Sequence, residues 1–313
     1  MRYVIKKLAT MTGTLFVISI LTFGVFQILP GNPVDVILGV DADPLQAQQL
    51  AKQLGLDLPL GQRYLAWIAG LLRGDLGISI RYQVPVVDLL RASLPVTLSL
   101  TLYTLFITLI MVFPVGIYLA KHNNQKSGIF VSLVTQIGVA VPSFWIGILL
   151  IMLFAVTLHW LPSGDYVPFS QDIAGSIRSM ILPSAAIAVG TSSVVIRYLK
   201  NTLLDQMNLD YVRTARSKGA TQKQVLYGHV LRNALLPTIT ILGMILVDVL
   251  GGSIIVENVF NLPGIGHLII SGVGNRDFPL VEGLVFYLAL VVVGINLVVD
   301  LLYAAADPRI RLE

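Results

Sequence analysis

The chain has 313 residues, of which 55% are hydrophobic and only 12% are charged, whereas roughly 25% of residues are charged in an ordinary soluble domain. The low charged fraction and the mean hydropathy of +0.81 exclude such a domain. Basic residues at a membrane surface explain the net charge of +4 without nucleic acid, which we do not expect as a partner. The absence of cysteine excludes disulfides, thiolate metal sites and cysteine nucleophiles.

Six apolar segments are long enough to cross a bilayer as helices, for which about 20 residues suffice. The first, residues 8–29, resembles a signal peptide, but it is longer than an apolar signal core and lacks a small-x-small cleavage site, so we expect a retained span. The others are predicted at 94–120, 129–158, 180–200, 234–256 and 280–303. Prolines interrupt them at Pro95, Pro114, Pro142, Pro183 and Pro237. The pattern predicts an all-α membrane protein with a single transmembrane domain over residues 1–313.

The segment between the first two spans, residues 30–93, is too long and too patterned for a bare connector. DPLQAQQLAKQLG, residues 43–55, predicts a short amphipathic helix with Asp43 as N-cap, Pro44 in the first helical position and Gly55 as the stop. A second short helix is predicted from Arg63 to Leu72. We interpret the segment as a small external cap that packs on the spans, and a surface for an external partner is the alternative.

The distribution of basic residues predicts which side of the membrane each loop occupies. An even number of spans puts both termini on one side, and fourteen Lys and Arg fall on that side against seven on the other. The fourteen are Arg2, Lys6, Lys7, Lys121, Lys126, Arg197, Lys200, Arg213, Arg216, Lys218, Lys223, Arg232, Arg309 and Arg311, and the seven are Lys52, Arg63, Arg73, Arg81, Arg91, Arg178 and Arg276. Since Lys and Arg are enriched in cytoplasmic loops, we expect cytoplasmic termini.

The largest cytoplasmic segment, residues 201–233, carries much of this charge. Asp205 to Lys218 predicts a helix ended by Gly219, and Thr221 followed by Gln224 is a capping-box pattern that begins another helix toward the fifth span. Orientation alone would explain positive charge here. A helix, a glycine turn and a second helix form a compact knob, however, and such a knob is suited to docking into a partner.

The knob resembles the cytoplasmic coupling loop, or EAA loop, of the membrane subunits of bacterial ABC importers, in which a short helix fits a cleft of the ATPase subunit. Arg213 to Ala215 stand where that family has Glu-Ala-Ala, and Gly219 matches its glycine. The general motif has Leu-Pro closer to the glycine, whereas here position 232 is Arg and the proline is Pro237. This longer spacing resembles the peptide and nickel permease branch. The resemblance implies ATPase contacts at Tyr211, Val212, Arg213, Thr214, Ala215, Arg216, Lys218 and Gly219.

Other blocks resemble the same branch, in the same order, along nearly the whole chain. They are LPGNPVDVILG (29–39), LGLDLPLGQRYLAWIAGLLRGDLGISI (54–80), PSFWIGILLIMLF (142–154), GGSIIVENVFNLPGIGHLI (251–269), NRDFPLV (275–281) and NLVVDLLYAAADPRIR (296–311).

The resemblance implies a subunit of an ATP-driven importer of the bacterial inner membrane that forms half of a passage. Its expected partners are a second related permease, two ATPase subunits or domains, an external substrate-binding protein and membrane lipid. Peptides are the first expectation as cargo, with nickel or other metal chelates and glutathione-like molecules as alternatives. The sequence has no Gly-Lys-Ser/Thr of a phosphate-binding loop, so we expect no cofactor in this chain, with ATP and Mg bound by the partner ATPase.

Four polar residues in or near the spans are candidates for the passage. Asp248 falls in the middle of the fifth span, where a lipid-facing acid costs about 2.5–3.5 kcal/mol. It should therefore face protein or water, either lining the passage or pairing with a neighbouring span. Glu257 and Asn258 either line the external mouth or fix the following NLPGIGH turn. Ser143 is the fourth candidate.

Other functions fit the sequence less well. An intramembrane hydrolase could use Asp248 and Asp300, but Asp248 lies in VDVLGG rather than after Gly-x-Gly, and Asp300 is nearly at the membrane surface. A secondary transporter would be expected to show internal pseudo-repeats, which we do not find. The four histidines are scattered without metal-ligand spacing, so no metal site is expected.

Overall fold

The computed structural model describes residues 2–28, 34, 38, 39, 43–53 and 55–306. Within these ranges the chain is built from helices, and no strand is found. The α-helices are α1 (Arg2–Ile28), α2 (Pro44–Gln53), α3 (Leu60–Leu72), α4 (Val86–Lys121), α5 (Lys126–Ala140), α6 (Ser143–Leu150), α7 (Ile173–Met207), α8 (Asp210–Ser217), α9 (Gln222–Gln224), α10 (Leu231–Val259), α11 (Ile265–Gly274) and α12 (Phe278–Ala306). Two π-helical segments, Ile151–Thr157 and Val225–Val230, follow α6 and α9.

Five helices in the described ranges are long and apolar enough to cross a membrane. They are Lys6–Ile28, Val86–Lys121, Ile173–Met207, Ile241–Val259 and Phe278–Leu301. A sixth span results if α5, α6 and the following π-helical segment are counted together. The predicted class of all-α membrane protein is confirmed.

The third predicted span, residues 129–158, is not a straight helix. Its two halves, Lys126–Ala140 and Ser143–Thr157, meet at 104°. Val141 has an extended backbone, with φ −91° and ψ 126°, which is the conformation that a following proline favours. Pro142 has no N–H to continue the helical hydrogen bonds, so the helix stops there and α6 begins after it.

The helices around the first span agree with their local sequence signals. Helix α2 covers the predicted 43–55 segment: the Asp43 carboxylate accepts a hydrogen bond from the Leu45 N–H at 3.0 Å, and Gly55 beyond its end has φ +66°. The second short helix, α3, begins at Leu60 rather than Arg63. Both predicted helices are confirmed.

Two compact units make up the described chain. Of the described residues, the first unit combines those up to Pro95 with 263–297, and the second comprises 96–262 and 298–306.

In the first unit, α3 packs on α1 and α12. The Tyr64 hydroxyl lies 2.7 Å from the Ser19 hydroxyl, and the Tyr64 ring lies 5.4 Å from the ring of Phe23. On the other side, the Trp67 ring lies 5.8 Å from that of Phe286. Helix α3 of the 30–93 segment therefore packs on two spans, α1 and α12, as the interpretation as a cap requires, while its location outside the membrane stays a prediction.

Asp277 fastens the turn after α3 to the start of α12. Its carboxylate is fully buried and accepts hydrogen bonds from the N–H groups of Ile80 (3.0 Å), Arg81 (3.1 Å) and Leu280 (3.3 Å) and from the Ser79 hydroxyl. Hydrogen bonds to an ionised group are stronger than neutral ones. No role for Asp277 was predicted from the sequence.

In the second unit, α7 is the central helix. In the most apolar 18-residue stretch of α7, 67% of the residues are buried, against 11% in that of α1. Helices α5, α6 and α10 all pack on α7. Glycines allow close approach of these helices: a Cβ at Gly138 of α5 would lie 2.3 Å from the Ser193 hydroxyl oxygen of α7. Small residues at such contacts are typical of packed membrane helices.

Candidate coupling segment and polar residues of the spans

Helix α8 is a separate element that follows the long helix α7. Asp205 belongs to the last turn of α7, which ends at Met207, and α8 begins at Asp210. The prediction of one helix over 205–218 is therefore wrong. Leu209, between the two helices, has an extended backbone with φ −78° and ψ 153°, which interrupts the helical hydrogen bonds.

The end of α8 is closed by the predicted glycine turn. Gly219 has φ +86°, a left-handed conformation that glycine adopts without a Cβ penalty. Its N–H donates to the Arg216 carbonyl at 2.9 Å, and the Ala220 N–H donates to the Ala215 carbonyl at 3.2 Å. These two bonds form a Schellman motif, which satisfies the last carbonyls of the helix.

A capping box starts the next helix. The Thr221 side chain accepts from the Gln224 N–H at 3.3 Å, and the Thr221 N–H donates to the Gln224 side chain at 2.8 Å. Helix α9 then passes through the π-helical segment Val225–Val230 into α10. The predicted sequence of helix, glycine turn and helix is confirmed, while the π-helical geometry was not foreseen.

One face of α8 is anchored in the second unit. Val212 is fully buried in the hydrophobic core, together with Val225 and Val230 of the π-helical segment. Tyr211 and Ala215 are half-buried against the same core. Val212 is predicted from the sequence resemblance to contact an ATPase, whereas its side chain packs inside its own chain.

The remaining residues of α8 include exposed and positively charged side chains. Arg213, Thr214 and Arg216 are exposed, as is Lys218 just after the helix. Arg213 pairs with Asp210 at 3.4 Å, but both side chains are largely exposed, so the pair contributes little to stability. The knob thus offers a polar, cationic surface held on a buried apolar base.

Asp248 lies on the exposed face of α10. Met244, Gly251 and Ile255 are exposed with it, and their spacing places all four on one stripe of the helix. Among the described residues Asp248 has no hydrogen bond or ion pair. The alternative that Asp248 serves as a structural partner within this chain therefore finds no support in the described residues.

Glu257 and Asn258 occupy the end of α10 and contribute to packing there. Glu257 is fully buried, and its carboxylate accepts a hydrogen bond from the Thr97 hydroxyl of α4 at 2.7 Å. Its backbone carbonyl accepts from the Leu262 N–H at 2.8 Å, and that of Asn258 accepts from the Asn261 N–H at 3.2 Å. Of the two interpretations, this geometry supports fixing the turn.

Ser143 is the first residue of α6 and is half-buried just after the bend. In the described ranges no hydrogen bond joins Ser143, Asp248 and Asn258 to one another. No group of three or more His, Asp or Glu that could hold a metal ion is found in the same ranges.

Two family models match the chain. Residues 112–312 match the binding-protein-dependent transport system inner membrane component, and residues 1–101 match the N-terminal model of the membrane component of such systems. The chain is 36% identical over 312 residues to the oligopeptide transport system permease protein of Bacillus subtilis (strain 168), with 99% of each chain covered. It is 37% identical over 311 residues to the glutathione transport system permease protein of Escherichia coli (strain K12), again with 99% of each chain covered.

Proposed function

The chain belongs to the family of inner membrane components of binding-protein-dependent transport systems, and on that premise we propose that it forms half of the passage of an ATP-driven importer of peptides. As a permease of an ABC transport system it is a transport subunit rather than an enzyme, and the intramembrane hydrolase is set aside. The observation that carries the choice of cargo is the similarity, over nearly the whole chain, to a permease named for oligopeptides.

Glutathione is the second candidate cargo, because another relative of similar identity and coverage is named for it. Glutathione is itself a small peptide, so a passage suited to short peptides would suit it as well. No specific observation favours the metal-chelate alternative.

The proposed complex contains a second permease, two ATPase subunits or domains that bind ATP and Mg, and an external substrate-binding protein. The excess of Lys and Arg on the side of the termini supports a location in the inner membrane with both termini in the cytoplasm. In that orientation α8 faces the ATPase side and residues 30–93 face the binding protein.

In this proposal α8 is the element that docks into the ATPase. The exposed side chains of Arg213, Thr214 and Arg216 contact the partner, with Lys218 beside them, and they complement acidic groups there. Val212 holds the helix to the permease core instead of contacting the ATPase. Closure of the ATPase subunits on ATP would carry α8 along and switch access to the passage.

The stripe around Asp248 is the proposed contribution of α10 to the passage. An acid in the middle of an apolar span is stable when it faces protein or water rather than lipid. Its exposure in the single chain supports a position toward the second permease, where it would meet charged groups of a peptide. Ser143 and Asn258 also remain candidates for the passage. Glu257 remains one through its packing at the end of α10, where its side chain is buried.

ATP-dependent uptake of labelled short peptides, measured in proteoliposomes that contain the complete complex, tests the cargo. We expect peptides to accumulate only with ATP, the ATPase and the binding protein present. Accumulation of a nickel chelate but of neither a peptide nor glutathione would contradict the proposal.

Single cysteines along α8 test the docking, because the chain contains no cysteine of its own. A cysteine at exposed Thr214 should crosslink to the ATPase, whereas one at buried Val212 should not and serves as the matched control. Absence of crosslinks from Thr214, Arg213 and Ser217 alike would remove α8 as the docking element.

A further inference from the structure

A polar cavity of about 160 Å³ lies between α5 and α7 in the second unit. Its polar lining includes Ser132, Thr135 and Gln136 of α5 and Arg197, Lys200 and Asn201 of α7. On each helix these residues are spaced by three, four or one positions, so they lie on one face. Two polar faces of otherwise apolar helices therefore turn toward each other.

Arg197 and Lys200 bring two positive charges to this cavity with no acid to match them. Both lie in α7, a candidate span. Among the described residues neither has an ion pair or a hydrogen bond, and no Asp or Glu lines the cavity. Arg197 is exposed and Lys200 is half-buried, toward the end of α7 where basic side chains meet anionic head groups. An anion from outside the chain would complete the site.

The surface beside the cavity is suited to hydrocarbon. The next side chains around α5 from Gln136 are Ile129 and Leu133, each 53% exposed. Phe130 and Ile137 extend this exposed apolar surface, at 67% and 63%. A free anion would gain nothing from these side chains, whereas the acyl chains of a lipid would pack on them.

We propose that the groove between α5 and α7 binds an anionic phospholipid, with its phosphate paired to Arg197 and Lys200. Thr135, Gln136 and Asn201 supply hydrogen bonds to head-group oxygens, and the acyl chains lie along Ile129 and Leu133. The Arg guanidinium matches the geometry of a phosphate through two parallel hydrogen bonds. Basic pockets between membrane helices on the cytoplasmic side are typical sites for anionic head groups. The residues of this site differ from those of the proposed passage stripe on α10 and from those of α8.

The test is titration of the full-length chain, held in phosphatidylcholine nanodiscs, with short-chain phosphatidylglycerol. The double variant R197Q/K200Q should bind about 30-fold more weakly, because each basic residue near an anionic head group contributes roughly fivefold. The double variant K223Q/R232Q removes two exposed cations that lie outside α5 and α7, and it should bind like the unchanged chain. R197K, which keeps the charge but loses the fork of donors, should fall between them.

Selectivity of the unchanged chain gives a result that needs no variant. We expect phosphatidylglycerol to bind at least tenfold more tightly than short-chain phosphatidylcholine. Equal binding of the two lipids, or equal loss in both double variants, would overturn the proposal. Displacement of the lipid by inorganic phosphate or by a dipeptide at similar concentrations would also overturn it, since the groove would then be a site for free anions or for cargo.

Discussion

Replacement of Gly219 by valine probes the turn that closes α8, the proposed coupling helix. Gly219 has φ +86°, and no atom lies within 4 Å of an added Cβ, so the substitution introduces conformational strain rather than a collision. A non-glycine residue in the left-handed region costs about 1–2 kcal/mol, and a β-branched one lies toward the upper end of the 1–3 kcal/mol range. A cost of about 2 kcal/mol lowers the equilibrium ratio of the native turn to any relaxed alternative roughly 30-fold.

Relaxation of this turn would break the two hydrogen bonds that close α8. The Ala220 N–H would lose the Ala215 carbonyl, and both alanines pack against the core that holds Val212. Helix α8 would then be less firmly held. We expect ATP-driven uptake in proteoliposomes to fall at least tenfold, with ATP hydrolysis less dependent on the binding protein, while insertion in the membrane is unchanged.

Two variants control for other effects of the substitution. Gly219→Asn should retain most of the uptake, because Asn tolerates the left-handed region better than other residues. Gly228→Val places the same side chain in the π-helical segment that follows, at an exposed glycine with open space around it and no left-handed φ, and should have little effect. Full uptake by Gly219→Val, or equal loss in Gly228→Val, would refute the strain argument.

Three further changes test other parts of the molecule. A cysteine at exposed Gln48 should react with an impermeant thiol reagent in intact cells, and labelling only after lysis would reverse the proposed orientation. Asp248→Asn removes the charge of the proposed passage stripe, so uptake of charged peptides should change more than the amount of assembled complex; a loss of assembly alone would indicate a structural role. Asp277→Asn keeps one acceptor oxygen but turns its side-chain amide toward the Arg81 N–H, which should cost about 2–3 kcal/mol and raise hydrogen exchange at the Arg81 backbone N–H. The control Asp75→Asn, at an exposed turn with one N–H contact, should leave exchange at Arg81 unchanged.

The elements that the sequence predicts well are those with local signals. Apolar runs identify the spanning helices because a bilayer requires about 20 such residues. The turn at Gly219 and the box of Thr221 and Gln224 were predictable for the same reason, since each is decided by groups within a few residues of one another.

Features that depend on distant partners were not predictable. Pro142 and Pro183 give similar local signals, yet the first lies at a sharp bend and the second is buried inside α7, where neighbouring helices can compensate for the lost hydrogen bond. Val212 lies in a strongly basic stretch, for which the sequence predicts exposure. Its role in holding α8 to the core becomes visible only in the structure, where it shares a buried cluster with Val225 and Val230.

Asp277 lies between these cases. Its hydrogen bond from the Leu280 N–H at the start of α12 follows a capping pattern that the sequence could have revealed. The contact with the Ser79 hydroxyl joins residues 198 positions apart, and nothing in either local sequence indicates that pairing. The sequence alone therefore reveals the helix cap at Asp277 but not the hydrogen bond from Ser79.

Packing also decides where a movement of α8 would be transmitted. Val212 shares a core with α7 and the π-helical segment, and that segment continues directly into α10. Side chains packed at the density of a crystal do not absorb a displacement, so a shift of α8 is passed to both long helices. Helix α10 carries Asp248 and, through Glu257, is bonded to Thr97 of α4. In the proposed coupling, the charge in the middle of the span would lie on a helix that α8 moves, and the buried valine would be the contact that holds α8 to that core.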